Sequence, residues 1–510
     1  MSKNIKKCTF IWFVCNFAVP LPRKLKLLEE MKKFLLIGAA ALMVSNSTFA
    51  GGILTNTNQN ATFLRNPARN AAIAIDGVYS NPAGIAFLPQ GFHLSVSWQA
   101  AWQQRLMDVN NSTIGMNKEF KGETKAPVIP SFQAAYVIND KWSVSAQFAV
   151  GGGGGKCEFA EGLPMFEELV GSKLLGAQAT SYGLNQNLTG EQYFYGFQVG
   201  ATYKLTDNFS VFGGARGVLA NCNYTGAISN VTANGVAAGT YLTGLSQQAA
   251  AGAQQAAAAA AQYAAAGMTA EAAKYQAMAE QYQAAAVSAG QGAALFGSDL
   301  VLDCAQSGFG ITPIIGFDWN LGKLNLAAKY EFRTKIELEN ESNNSANLTA
   351  MATQVPAVAV YADGAKVRSD IPAILSLGAM YQISDNVRAM VGGVYYWDKD
   401  AVGSPIKNGD NTWEANFGIE WDVNDNILLS CGAQRTEYGF DDTDMADTNF
   451  NTSSYAVAIG GAYKFSEKMK LNVGYMHSFY DDHKFTNAAS TACNYTRKND
   501  AVGVSLDITF

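Results

Sequence analysis

From residue 91 to its end, the chain repeatedly alternates apolar and polar side chains with a period of two. In Gly91–Gln103 one face reads Phe92, Leu94, Val96, Trp98, Ala100 and Trp102, and the other His93, Ser95, Ser97, Gln99 and Gln103. A strand with lipid on one side and water on the other requires this pattern. It returns in Phe309–Trp319, Leu324–Phe332 and Trp413–Trp421. The alternation predicts about 14 strands, near 91–106, 129–139, 141–151, 190–205, 207–222, 300–320, 322–338, 370–383, 385–398, 411–423, 425–438, 452–465, 468–480 and 496–510. Short turn signals such as Asn139-Asp140, Ser384-Asp385-Asn386 and Asn424-Asp425-Asn426 alternate with long connections. Short turns at one end and long loops at the other predict an all-β transmembrane fold. That fold is an antiparallel outer-membrane β-barrel whose even strand count leaves no open edge to lipid.

Four stretches break the rhythm. Thr62–Leu88 is rich in Ala, Asn and Gly and has neither strand alternation nor a long helical face. Its polar atoms need partners if buried, so residues 51–90 are expected to form a plug, or hatch, inside the barrel of residues 91–510. Gly151–Gly155 is a run of five glycines at the expected end of the third strand. Such a run permits either a kink that opens the wall, at Gly151, Gly152 and Gly153, or a flexible exit into a loop. Residues 156–190 follow, with Phe159, Leu163, Met165, Phe166, Leu169 and Val170 at helix-like spacing. They predict an apolar extracellular loop that either covers the barrel rim or offers a docking surface. Ser246–Gly292 is dominated by Ala and Gln and predicts a helix or helical hairpin, broken near Gly267 and exposed outside the membrane.

Composition agrees with a membrane barrel. Of 510 residues only 15% are charged, 11% are aromatic and 49 are Gly. A net charge of −6 without a basic stripe excludes a nucleic-acid partner. Met31-Lys32-Lys33, the apolar run Phe34–Val44 and Thr48-Phe49-Ala50 read as a signal peptide over 31–50, with residues 1–30 an upstream mis-start. Cys157, Cys222, Cys304, Cys431 and Cys493 show no CxxC spacing, so no zinc site is expected and at most one or two disulfides. No cofactor or metal motif is present. Catalysis is not expected either, because His477 and the adjacent Ser478 point to opposite faces of a strand. His93 and Ser95 share a face, but it is the inward one. Tryptophans near strand ends, among them Trp98, Trp142 and Trp421, read as interfacial girdle residues.

Two motifs carry a resemblance. Tyr79-Ser80-Asn81-Pro82-Ala83-Gly84 stands between an Asn/Ala-rich stretch and the first strand, and Asp370-Ile371-Pro372 precedes Leu375-Ser376-Leu377-Gly378. In this context the chain resembles the FadL/TodX family of outer-membrane transporters of hydrophobic compounds. The resemblance implies a 14-stranded barrel with an N-terminal hatch, in which Asn81, Pro82 and Ala83 are hatch residues. It also implies capture of a fatty acid or hydrocarbon by apolar loops, binding in the lumen, and sideways release at a kinked third strand. On that basis Phe159, Met165, Phe166 and Leu169 are candidate ligand contacts. Arg216, Lys329 and Arg333 are candidate lumen cations for a ligand carboxylate; because barrel interiors are polar, the alternative reading is that they pair with the plug or with neighbouring strands. Val502–Phe510 alternates and ends in Phe, like the signal recognised by the barrel-assembly machinery. A monomer in the outer membrane of a Gram-negative bacterium is expected. The rival readings are a general porin for small polar solutes and an adhesive surface barrel that uses the Ala/Gln insertion.

Overall fold

A computed structural model of the chain describes residues 53–353 and 355–510. The expected signal peptide and the stretch before it lie outside the described residues. Fourteen antiparallel strands form one wall. They are β1 (Gly91–Asn111), β2 (Met116–Val137), β3 (Trp142–Phe159), β4 (Tyr182–Thr206), β5 (Phe209–Ala233), β6 (Leu300–Asn320), β7 (Leu324–Glu331, resumed at Glu337–Ser342), β8 (Lys366–Arg368 and Ile374–Ser384), β9 (Val387–Tyr396), β10 (Trp413–Asp422), β11 (Ile427–Glu437), β12 (Ser454–Ser466), β13 (Met469–Tyr480, extended by His483–Thr486) and β14 (Ala492–Thr509). β1 pairs with both β2 and β14, so the sheet closes.

The pattern read from the sequence decides which face looks out. Phe92, Val96, Trp98 and Trp102 are exposed on β1, while Ser95, Ser97, Gln99 and Gln103 are buried. Exposed rings gather at two levels, Phe92, Trp142, Trp421 and Phe510 below and Trp102, Trp413, Tyr455 and Phe479 above. From Phe92 to Trp102, ten residues at about 3.3 Å each on a strand tilted by about 40° give a band roughly 25 Å tall, which matches a barrel in a bilayer. Trp98 is an exception to the girdle expectation. It sits between the two levels, and its Nε1 donates to the Pro127 carbonyl at 3.0 Å.

Several strands outrun their expected ends. β1 continues to Asn111, β2 begins at Met116, and β4 and β5 reach back to Tyr182 and on to Ala233. At and above the upper ring level the outward positions of β2 carry Lys125, Glu123 and Lys121 in place of apolar groups, so the lipid-facing signal disappears while the ladder continues. The Ala/Gln stretch is a hairpin of two helices, α2 (Ala238–Ala265) and α3 (Thr269–Leu295), which turns at Gly267 with φ of 75°. Ala253, Ala256, Ala260, Ala279 and Ala286 are buried between them, so the hairpin closes on small side chains.

Residues 53–88 lie inside the wall and are almost wholly buried. Their seat is a shelf of glycines paired across strands: Gly378 with Gly392, Gly418 with Gly432, and Gly460 with Gly474, itself opposite Gly503. A Cβ at Gly378 would stand 2.7 Å from the Ala71 backbone nitrogen, and one at Gly474 2.7 Å from that of Arg65. The hatch backbone therefore rests directly on the sheet backbone. Charges hold it there. Glu420 on β10 receives Arg65 at 2.7 Å and Arg69 at 2.9 Å from the hatch, and Arg388 on β9 at 2.7 Å. Arg69 also clasps Asp76 at 2.7 Å.

Removing one partner of a buried ion pair strands the other charge in a low-dielectric interior, at a cost of about 3–5 kcal/mol. Glu420→Ala is therefore expected to loosen the hatch while the wall stays closed. Trypsin should then cut the folded barrel at Arg65 and Arg69, where the unaltered protein resists.

Candidate functional site

The lumen has two halves. Around the hatch it is polar. Asn81 Nδ2 donates to Asp318 Oδ2 at 2.5 Å, and Asn81 Oδ1 accepts from the Gly84 amide at 3.2 Å. Thr202 and Ser210 donate to the carbonyls of Pro82 and Ala83 at 2.8 and 2.7 Å. Asn81, Pro82 and Ala83 thus form a turn whose Pro82 and Ala83 carbonyls are satisfied by the wall and whose Asn81 backbone is satisfied within the hatch, and Pro82 has no N–H needing a partner.

Arg216 and Lys329 both belong to this seat. Arg216 Nη1 lies 2.6 Å and Lys329 Nζ 2.7 Å from the carboxylate of Glu331. Lys329 also donates to the Tyr79 carbonyl at 2.7 Å and stands 3.8 Å from the centroid of its ring. Arg333 departs from expectation. The two-residue rhythm of β7 stops at Glu331, and both Phe332 and Arg333 are exposed. Arg333 donates to the Asp400 carbonyl at 2.9 Å and is not a lumen cation. The cause is a paired interruption. β7 breaks over 332–336 and β8 over 369–373, where Asp370-Ile371-Pro372 lies, and Asp370 is held by Arg368 at 2.7 Å.

Above the hatch the inward faces turn apolar. Met107, Phe120, Cys157, Phe159, Leu188 and Phe194 belong to one continuous buried cluster. Two corrections follow for the apolar segment. Phe159 is the last residue of β3, pointing inward, and not part of a helix. The helix is α1 (Pro164–Gly176), whose Met165, Phe166, Val170 and Leu174 are buried in the cluster with Leu169 packed against it, so it caps the cluster and leaves no bare apolar face. Arg105 and Arg497, missed in the sequence, face each other across β1 and β14, and Arg105 lies 5.6 Å from the centroid of Phe450 in the cluster. Cys157, Cys222, Cys304 and Cys493 are buried in the same cluster, Cys431 is exposed, and all five are free thiols.

α1 is latched by carboxylates. Asp447 accepts the Met165 amide at 2.7 Å and so caps the helix from another loop. It also accepts the Tyr495 hydroxyl at 2.5 Å. Glu168 on α1 accepts Asn487 at 2.8 Å and the hydroxyl of Thr491. Burial, and then the neighbouring Glu168, push the Asp447 carboxyl up to about 7.

A second interruption of the wall lies between β2 and β3. Their ladder holds from Ser131–Ala149 downward and from Lys125–Lys156 upward, with no pairing between. On β3 the gap is the glycine run. Gly153 and Gly154 have φ of 64° and 107°, and the β3–β4 register skips at Gly151 and again at Gly154. On β2 the gap holds Pro127 and Pro130, which have no N–H to donate. These prolines are the partner of the glycine run that sequence reading missed. Two prolines three residues apart, facing a run of glycines, were the available signal. From inside, the hatch supplies the lost bonds. The Asn56 amide donates to the Gly151 carbonyl at 2.9 Å, and Asn56 Nδ2 to that of Gly153 at 2.8 Å. A Cβ at Gly152 would collide with the Leu54 carbonyl.

A closed wall with an apolar outer band and an internal plug defines a membrane-spanning β-barrel. Its fold is that of the FadL/TodX-type 14-stranded barrels. The chain is similar to a FadL homologue of Pseudomonas aeruginosa, at 13% identity and TM-score 0.60, covering 90% of this chain and 100% of that one. It is also similar to the toluene transporter TodX of Pseudomonas putida, at 14% identity and TM-score 0.51, covering 93% and 98%. No protein-family model and no curated protein matches the sequence.

The Asp447 latch generates a pH dependence. A carboxyl whose pKa is raised on closure favours the closed form below the ordinary carboxylate value of about 4, and this contribution is lost as pH rises through about 7. A nitroxide on Ser172→Cys, in a Cys431→Ser background, should be immobile at low pH and gain mobility between those values. Asp447→Asn should flatten that profile.

Proposed function

We propose that this protein is a passive outer-membrane channel for long-chain fatty acids or similar hydrophobic molecules, and not an enzyme. Cargo is captured at the extracellular loops, enters the apolar chamber under α1, and leaves sideways through the β2–β3 gap when the hatch moves. The observation that carries this reading is the pairing of a bore closed by buried ion pairs with a wall left unpaired at the glycine run. In it, Gly151, Gly152 and Gly153 form the lateral opening, and Asn81, Pro82 and Ala83 fix the hatch. Phe159, Met165, Phe166 and Leu169 contact cargo in the chamber. Arg216 and Lys329 share the one carboxylate of Glu331 and lie against Tyr79 of the hatch, so they could meet a ligand carboxylate only after the hatch shifts.

A cleft of about 1000 Å³ between the β1–β2 turn, α1 and the start of β4, lined by Ile114, Leu175, Leu184 and Tyr182 among polar neighbours, supports access from outside. A general porin fits poorly, because its steady current needs an open bore. Phe510, exposed with its ring 5.6 Å from that of Phe92, is available to the barrel-assembly machinery.

The two register skips fall at Gly151 and Gly154. Deleting both restores one-to-one pairing of β3 with β4 and keeps the in–out alternation. The double deletion should abolish uptake of labelled fatty acid while the barrel still assembles in the membrane. Unaltered uptake would refute lateral release.

A further inference from the structure

The outer face of the β2–β3 gap is itself shaped for an amphiphile. Its lower edge is a row of three phenylalanines in direct cross-strand register, Phe132 on β2, Phe148 on β3 and Phe197 on β4. The ring centroids are 6.2 Å apart for Phe132–Phe148 and 4.9 Å for Phe148–Phe197. Tyr195 stacks on Phe148 at 6.3 Å, and Tyr193 stacks on Tyr195 at 5.5 Å, so the rings climb the β4 side of the gap. The climb ends at Lys156. Lys156 faces Lys125 directly across β2–β3, and this pair is the first rung above the gap.

Both lysines point outward and are exposed. Lys125 is also opposite Trp102, which belongs to the upper ring level. The lysine rung therefore lies where the lipid band gives way to headgroups. Like charges directly opposite one another weaken a strand pair. Neighbouring acids relieve this only in part. Glu123 is 2.6 Å from Lys121 and 3.5 Å from Lys125. Glu158 faces Glu123 in the rung above, and Glu191 faces Lys156 from β4. No ion pair engages Lys156 among the described residues.

We infer that this frame is an exit site. It receives a long-chain amphiphile as it leaves the gap, with its carboxylate on Lys125 and Lys156 and its tail along the Tyr193–Tyr195–Phe148 rings. The distance from Glu191 to Phe197 along β4 is about 20 Å, on the scale of a long acyl chain. The lysine rung gives the site a preference for acids over neutral molecules of equal length. This rests on lateral release as proposed above, and it adds the chemistry of the cargo's head.

The test compares uptake of labelled palmitate and of hexadecanol by cells that carry the protein as their only such channel. The variants are Lys125→Gln with Lys156→Gln, Lys125→Arg with Lys156→Arg, and the Gly151/Gly154 double deletion. Both lysines are exposed, so none of their replacements threatens the fold. The glutamine pair should slow palmitate about tenfold, the order of one lost charge-assisted contact. It should leave hexadecanol within about twofold, and the arginine pair should restore palmitate. Equal loss of both substrates, or loss of neither, overturns the exit site. A rise in both also overturns it, because the lysines would then be holding a resident membrane phosphate across the gap. If the double deletion leaves both uptakes intact, lateral release fails and the exit site falls with it. If the deletion blocks both while the glutamine pair discriminates nothing, only the exit site fails.

Discussion

One buried carboxylate organises the interior. Glu420 accepts two arginines from the hatch and one from the wall, all within 2.9 Å. Such a cluster is costly to assemble, because each ion loses its hydration and only tight geometry offsets that loss. What it gives in return is position. An apolar plug of the same volume could slide or turn on the smooth backbone of a glycine shelf. Arg65 and Arg69 converging on one carboxylate, with Asp76 holding Arg69 from within the hatch, allow a single seating. The wall depends on this plug in turn, since Asn56 donates to two carbonyls of β3 that have no partner on β2.

The wall was largely legible because lipid imposes a strict code. Every outward position in the band must be apolar, so β1, β6 and β10 are recognisable from alternation alone. The code ends where lipid ends, which is why the upper parts of β1, β2, β4 and β5 went unread. The hatch was legible by elimination, as a polar stretch that could be neither strand nor helix. Its contacts were not. Arg65 and Glu420 are 355 positions apart in the chain, and no local pattern joins them. Extrapolating the β7 alternation past Glu331 misplaced Arg333 because the paired break with β8 depends on strands meeting in space.

The gap shows a local signal that needs its partner to be interpreted. Five glycines alone fit either a kink or a flexible exit. Pro127 and Pro130, which cannot donate across a ladder, turn the same segment into an unpaired wall once β2 is set beside β3. Each strand is defective in its own way, glycines through conformation and prolines through a missing donor. The defects coincide, so the unpaired stretch does not depend on either strand alone.

The height of that gap completes the physical logic of the lumen. Inward side chains just below it are Gln133, Gln147 and Gln198, while Cys157, Phe159 and Phe194 lie at or above it. Phe194 is itself registered with Gly152 in the gap. On the proposed route, an apolar molecule descending past this cluster would meet buried amides and ion pairs at the level of the gap. Continuing downward would mean displacing polar groups whose partners are already made, each at the full cost of an unsatisfied buried group. Moving sideways would displace only the leading residues of the hatch, where Asn56 holds β3 through its amide and its side chain. The chemical boundary inside the barrel and the structural boundary in its wall fall at one height, and the proposed route turns sideways there for that reason.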